Sequence, residues 1–515
     1  MLFIKKIKDF IIKNKLLGYD QNEKNFINFL KKNKIKKYKI KKNSILVNGY
    51  FEYYSLIFTF LLKKEEKFKD YDIIIYRPIF KFSKYSNVKI NLFFIINFYK
   101  NILISLISNW KWNYLYSLIT SQYISLVNFN LFLEVSYLKK AEKILLSCDS
   151  KKKIKKLYYK NILIGDLVYD TYLRFSGKPT LNIKDPFLIE ILSKSIQLYD
   201  YLKKAKNNHN IKYFFSSQRA YIHHGIPFRF FQKTKVISYH FDSTFEYLRK
   251  QINNKKFLGR DYRSFPKLFS KIKNKVNKLK EAEQLLKNKF KGKIIRQEKW
   301  MPLSVYHNKP LNIDKKINAV IFLHCFVDSP TSRGDTVFID FYDWIIKTIN
   351  FFQKYNLEDT VIIKPHPASQ ADSKIFENIL KKKYNKFIWV DSHVSNSSIF
   401  KLKPKCGISV HGTVLHELAY HDITPVSAGT NPAIAYSFVK SAKNTKEYFD
   451  IIKKTIFTNK IEKINKKELL EFTYCYYIMD NTNINLIAKK MNLKNFIVDE
   501  NSSNSLDIFE KLYKK

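Results

Sequence analysis

The chain has 515 residues, 45% of them hydrophobic and 27% charged, which allows folded cores in two or three domains and excludes wholesale disorder. Lys+Arg 93 against Asp+Glu 44 gives a formal net charge of +49, a balance suited to an anionic membrane, an anionic substrate or nucleic acid. Composition offers a plainer source: Lys, Asn, Ile, Tyr and Phe abound while Gly (11), Pro (13) and Met (4) are scarce, the pattern of A/T-rich codons.

The opening MLFIKKIKDFIIKNK is too charged for a secretory leader and predicts a short amphipathic helix. Residues 42–50 carry SILVNGY, an apolar run closing on Asn-Gly, and read as a buried strand. Residues 70–76 (DYDIIIY) read as a second strand, and 51–62 between them have helical spacing, so the three make a parallel α/β unit. The most apolar zone is 90–126. Lys100, Asn101, Asn109, Lys111 and Asn113 interrupt it, so it lacks the roughly 18 consecutive apolar residues of a spanning helix. It reads either as buried core helices or as an interfacial membrane contact. Further on, 187–205 predict a helix, 211–216 (IKYFFS) and 235–239 (KVISY) strands, and 267–291 a long Lys-rich helix with no strong apolar face, expected to be exposed. Residues 297–312, with Pro302 and Pro310, read as a linker. Beyond it, strands are expected at 317–323, 359–363, 387–390, 406–410 and 424–426, and helices at 338–352, 373–382, from 414 to 420, and through most of the tail from Thr445. This is an α/β chain of two Rossmann-like domains, expected at 1–300 and 301–515.

Lysine clusters at 31–42, 151–156 and 271–293 come without any nucleic-acid motif, so a peripheral contact with an anionic leaflet fits the charge better than a nucleic-acid partner. Cys148, Cys325, Cys406 and Cys475 stand far apart, with no CxxC and no Cys/His ligand spacing. This argues against a disulfide framework and a structural zinc site, and for a reducing cytoplasm.

Three C-terminal features fall at the carboxyl ends of predicted strands, where ligands bind in open α/β sheets. Lys364-Pro365-His366-Pro367 puts a cation and an imidazole on a proline-stiffened loop, a pair that suits a phosphate; the plainer alternative is a stiff strand exit with a packed histidine. Ser409-Val410-His411-Gly412-Thr413 precedes a helix. Gly412 permits close backbone approach, Thr413 caps the helix or donates to a phosphate there, and Glu417 one turn in reaches a ribose hydroxyl or lies on a solvated face. Gly429-Thr430-Asn431-Pro432 is the third, with Asn431 as its candidate ligand. Leu323-His324-Cys325 opens a polar loop running through Asp328 and Arg333, and His324 is the candidate there for nucleotide contact.

KPHP followed by SVHGTVLHELAYHDITPVSAGTNP resembles the capsule and surface-polysaccharide biosynthesis proteins, which are similar to GT-B glycosyltransferases and have relatives among bacterial sialyltransferases and Kdo transferases. The resemblance covers roughly 317–449, and more vaguely 165–170 and 221–229. It implies two domains facing a cleft, with an acceptor-side N-terminal domain and a C-terminal domain that binds a nucleotide sugar, CMP- or UDP-linked. It implies that His366 with Lys364 contacts the donor phosphate and that Ser409 and Thr413 complete the grip. The acidic motif of sialyltransferase N-terminal domains has no clear counterpart. A general base on the acceptor hydroxyl is expected from the N-terminal side, with Asp166 first, His224 second, and Asp170, His223 and Asp242 behind them. No metal and no further cofactor is expected, since cationic side chains can neutralise the leaving nucleotide.

The expected function is sugar transfer to a capsular, lipopolysaccharide or other surface glycan, on a glycan or lipid-linked acceptor, at the cytoplasmic face of the inner membrane. Alternatives are a CDP-polyol phosphotransferase of the teichoic-acid type and a non-catalytic polysaccharide-assembly or membrane-associated protein.

Overall fold

The computed structural model describes residues 42–50, 52–64, 68–77, 91–120, 122–125, 129–241, 248–250, 261–291, 313–332, 334–458 and 463–479, with a few single positions besides. The expected N-terminal helix, most of the linker at 297–312, Arg333 and Asp242 lie outside the described residues. The chain divides into two compact units. The first takes the described residues up to Val168 and those of 183–253; the second takes Tyr169–Asn182 and those of 254–483.

The first unit runs β1 (Asn43–Asn48), α1 (Glu52–Lys64), β2 (Tyr71–Arg77), α2 (Leu92–Ser117), β3 (Gln122–Ser125), α3 (Leu131–Leu145), α4 (Lys151–Lys155), then a small hairpin of β4 (Tyr158–Tyr159) and β5 (Ile162–Leu163). After it come α5 (Gly165–Ser176), which passes into the second unit at Tyr169, and then, back in the first, α6 (Phe187–Asn208), β6 (Ile211–Ser216), α7 (Tyr221–Gln232), β7 (Ile237–Phe241) and β8 (Leu248–Lys250). Six strands form one sheet in the order β3-β2-β1-β6-β7-β8, parallel throughout except for β8. Ile45, Leu46 and Val47 are buried on both faces, as the unbroken apolar run of a central parallel strand requires.

The second unit continues with α8 (Phe265–Ser270), α9 (Lys275–Phe290), β9 (Ala319–Phe322), α10 (Phe341–Lys354), β10 (Val361–Lys364), α11 (Ala371–Lys383), β11 (Ile388–Trp389) and α12 (Asn396–Phe400). It closes with β12 (Cys406–Ser409), α13 (Val414–Tyr420), β13 (Thr424–Ser427), β14 (Lys440–Ser441), α14 (Thr445–Phe457) and α15 (Lys466–Thr473). Its sheet, β11-β10-β9-β12-β13-β14, is parallel in every pair. Because side chains alternate across a strand, Val320 and Phe322 join one core with α8, α9, α13 and α15, while Ala319 and Ile321 join the other with α10, α11 and α14.

Numbered by chain order within each sheet, both follow 3-2-1-4-5-6, the order of doubly wound nucleotide-binding folds. The protein is thus an α/β chain with two Rossmann-like units, and the fold class expected from the sequence is the one observed. The expected division at 300/301 differs from the packing. Phe265, Phe269, Ala282 and Leu286 of α8 and α9 are buried in the second unit's core, beside Ile317, Leu415 and Phe472. The Lys-rich stretch is therefore two helices, broken at Asn274 with φ 54°, and α9 has a buried face of Ala282, Leu286 and Lys289. Lysine density had hidden that face: only two of the buried positions are apolar, one helical turn apart. Tyr169–Asn182 joins the same unit. The Tyr169 hydroxyl donates to Asp340 at 2.5 Å, and the Thr331 hydroxyl donates to Asp170.

Among the described residues no helix is long and apolar enough to cross a membrane. Leu286→Ala should lower unfolding free energy by about 3 kcal/mol, the usual cost of a core cavity. Urea denaturation reads this directly; a loss under about 0.5 kcal/mol would mean that α9 is an exposed helix after all.

Candidate functional site

In a 3-2-1-4-5-6 sheet the connections leave strands 1 and 4 in opposite directions, and a crevice opens beyond their carboxyl ends. In the second unit these strands are β9 and β12. His324 follows β9, Ser409 ends β12 and His411 lies just past it. The backbone N–H of His411 donates to His324 Nε2 at 3.2 Å, and Ser409 Oγ meets the same nitrogen at 3.3 Å. A backbone N–H can only donate, so Nε2 is the acceptor and the neutral His324 ring carries its proton on Nδ1. Phe341 stacks on that ring at 4.7 Å.

Lys364 ends β10, the strand beside β9, and its backbone carbonyl accepts from Leu323 N–H at 2.9 Å. Its side chain is buried and Nζ donates to the Ser392 carbonyl at 3.0 Å. Burial pushes the ammonium down to about 8, with Glu417 and then Asp391 resisting the shift. His366, half-buried two residues on, accepts from Ala368 N–H through Nδ1 at 3.1 Å, so its neutral ring is protonated on Nε2. His411 is buried with a backbone carbonyl at each ring nitrogen, Thr430 at Nδ1 and Pro330 at Nε2, and only the imidazolium form donates to both. A Cβ at Gly412 would come within 2.9 Å of Ser409 Oγ, so a larger residue there would turn the Ser409 hydroxyl away from its present position. Lys364, His324, Ser409, His411 and Gly412 therefore gather at three adjacent strand ends.

Of the other expected residues, Glu417 and Asn431 are engaged within the scaffold. Thr413 stands at the N-terminus of α13 without a side-chain capping bond, and α13 has only seven residues. Glu417 contacts Lys289 at 2.8 Å and accepts from Asn396 Nδ2 at 2.9 Å. Burial would raise its carboxyl, but Lys289 and then His416 hold it below its ordinary value. Both oxygens are thus engaged, and the expected ribose contact gives way to a buried ion pair. Asn431 holds a turn: Oδ1 accepts from Ala433 N–H and Nδ2 donates to Ser441 Oγ, each at 2.9 Å.

The first three of the expected bases are likewise engaged. Arg229 grips both oxygens of Asp166, at 2.7 Å on Oδ2, and also donates to the Leu163 carbonyl at 2.6 Å. Both carboxylate oxygens are thus taken up by the guanidinium. Asp170 lies within α5, in the second unit with Thr331 rather than on the N-terminal side. His224 is fully buried; its Nδ1 lies 3.1 Å from Asn48 Nδ2 and 2.9 Å from Ser216 Oγ. Burial, and beyond it His223 and His240, keep this imidazole neutral. Asn48 ends β1 and Ser216 ends β6, strands 1 and 4 of the first sheet, so His224 sits at the equivalent crevice there. Neither Asn48 nor Ser216 was singled out from the sequence, although SILVNGY placed Asn48 at a strand exit. Lys289 gave no signal within its lysine-rich helix.

Among the described residues no three of His, Cys, Asp and Glu gather as metal ligands. A shallow depression lined by Asn444, Glu447, Asp450 and Lys454 runs along α14, on a different part of the unit from these strand ends.

No family model matches the chain, and no curated protein does. The solved structures that it matches include three at low identity. KpsC of Thermosulfurimonas dismutans, a beta Kdo 2,7 transferase, matches 54% of this chain and 80% of its own at 14% identity and TM-score 0.30. The N-terminal domain of Candida albicans trehalose-6-phosphate phosphatase matches 90% and 98% at 10% identity and TM-score 0.26. Methanocaldococcus jannaschii UDP-GlcNAc 2-epimerase, solved with UDP-GlcNAc and UDP, matches 83% and 97% at 11% identity and TM-score 0.20.

A buried ammonium is expensive, and the sign of its effect is testable. The folded Lys364 loses its proton near 8 and an unfolded lysine near 10.5, so its charge costs stability below pH 8 and the cost fades as pH rises towards 10.5. Lys364→Met should therefore raise stability at pH 7 by roughly 1–3 kcal/mol. The gain should shrink between pH 8 and 10 in urea titrations run across that range. Destabilisation at pH 7 would make Lys364 a structural hydrogen-bond donor and nothing more.

Proposed function

We propose that the second unit binds a nucleotide-sugar donor and that the chain is a glycosyltransferase building a bacterial surface polysaccharide. The observation that carries this reading is the meeting of His324, Ser409 and His411 across the β9/β12 crevice, with Lys364 on the next strand. The resemblance of KPHP and SVHGT to the phosphate-gripping motifs of capsule-type transferases supports it.

In this reading Lys364 supplies the cation for the departing nucleotide phosphate. His324 Nδ1–H and His366 Nε2–H supply neutral donors, and Ser409, Gly412 and Thr413 complete the cradle. Transfer breaks the bond between the anomeric carbon and the phosphate oxygen and forms one to an acceptor hydroxyl, whose proton passes to solvent water. Charge develops on the phosphate, and preorganised donors aimed at it lower the barrier without a metal. The acceptor is a glycan or lipid-linked glycan at the cytoplasmic face of the inner membrane.

The test is a thermal-shift panel of CMP, CDP, UMP, UDP and GDP on the wild type and His366→Ala. A ligand that binds only the folded state raises the melting temperature by mass action. One nucleotide should shift the wild type and lose most of that shift in the variant. A shift by CDP alone, with phosphorus appearing in the transferred group, would replace sugar transfer by polyol-phosphate transfer. No shift from any nucleotide would overturn donor binding at these strand ends.

A further inference from the structure

Helix α2 is apolar on both sides. Asn91 caps it, accepting from Phe94 N–H at 2.8 Å, and the helix then runs 26 residues with two lysines and no acidic residue. Phe94, Phe98, Ser105 and Trp112 are buried against the first unit. At about 100° per residue, Leu92, Ile96, Tyr99, Leu103, Leu106 and Trp110 form a stripe on the opposite side, and all six are exposed, Leu92 by 73% and Trp110 by 66%. Helices that are apolar all round are normally buried or in lipid, and this one is neither enclosed by the protein nor apolar enough to span a bilayer.

A second exposed apolar patch stands at the start of α3, which packs against the buried side of α2. Phe94 packs with Leu138, Leu131 and Val135 of α3, which brings the starts of α2 and α3 together. There Phe129 and Leu133 are exposed by 58% and 46%, and Phe132 by 84%. Along the face of α3 that bears Phe132, the residues at helical spacing are Ser136, Lys139 and Lys143, all exposed. The next helix, α4, adds Lys151, Lys152, Lys153 and Lys155. Exposed aromatics and leucines bordered by lysines complement the boundary between acyl chains and anionic headgroups. A second copy of the chain is a poorer occupant. The stripe has no pairs of opposite charge along its flanks to set a helix register, and a second copy would bring like charge against these lysines in a chain of net charge +49.

We infer that the exposed faces of α2 and α3 form the surface by which the protein lies on an anionic lipid bilayer, with Trp110 and Phe132 in the headgroup region and Lys139 and Lys143 over the lipid charges. This deepens the proposed placement at the membrane but needs no bound nucleotide, so failure of the nucleotide panel leaves it standing. The experiment is co-sedimentation of the full chain with phosphatidylcholine vesicles, with and without phosphatidylglycerol, together with tryptophan fluorescence. The wild type should bind the anionic vesicles at least tenfold more tightly than the neutral ones, with a blue shift that Trp110→Phe removes. Ile96→Asp/Leu103→Asp, both at exposed positions, should weaken binding at least tenfold while circular dichroism and the melting temperature stay unchanged. Lys139→Glu/Lys143→Glu should abolish the preference for anionic lipid. Undiminished binding by the double aspartate variant would overturn the inference. So would a wild-type dimer, split by that variant, that ignores vesicles.

Discussion

Where a parallel sheet reverses its winding, the loops from its two central strands diverge and leave polar backbone groups facing a gap. Every other feature of the second unit's candidate site follows from how that gap is closed. His324 spans it by accepting from the His411 backbone, which ties the exit of β9 to the exit of β12. The first unit meets the same constraint with a different residue set. Asn48 and Ser216 end the two central strands, and His224, borne on α7, sits within hydrogen-bonding distance of both. In each unit an imidazole nitrogen serves as the joint because it can accept from a donor on the neighbouring strand end while the rest of the ring packs apolar surface.

The electrostatics around this joint are arranged in layers. Glu417 is buried with Lys289 and favours the charged form of Lys364 from a distance. Removing one partner of such a buried pair is far costlier than replacing both, because a lone desolvated charge remains. Behind Glu417, His416 is pushed down to about 3, first by burial and then by Lys289, and stays neutral with Nε2 at 3.0 Å from the Tyr477 hydroxyl. The carboxylate thus faces one paired lysine and one strand-end lysine.

The strands were legible in the sequence because parallel strands are buried on both faces and appear as short, unbroken apolar runs. IKYFFS at 211–216 and VIIK at 361–364 needed little else. The strand exits were legible for the same reason, since Lys364 and Ser409 interrupt such runs. Partnership was not legible. Nothing near Asp166 in the chain announces that Arg229 will take both its oxygens, and nothing around Glu417 points to Lys289, more than a hundred residues earlier. Helix α9 was misjudged because its buried face includes a lysine, so a pattern read by hydrophobicity undercounts it. The reading of 90–126 as either buried or interfacial posed a false choice: α2 buries one side and exposes the other.

Segment Tyr169–Asn182 belongs with the second unit although the chain returns to the first immediately afterwards, and α8 and α9 reach the second unit's core from before residue 300. The second unit is consequently discontinuous in the gene. No single stretch of coding sequence specifies it, so recombination cannot exchange it as one cassette. The two parts of such a unit are inherited together, and changes at its strand exits arise one substitution at a time within that scaffold.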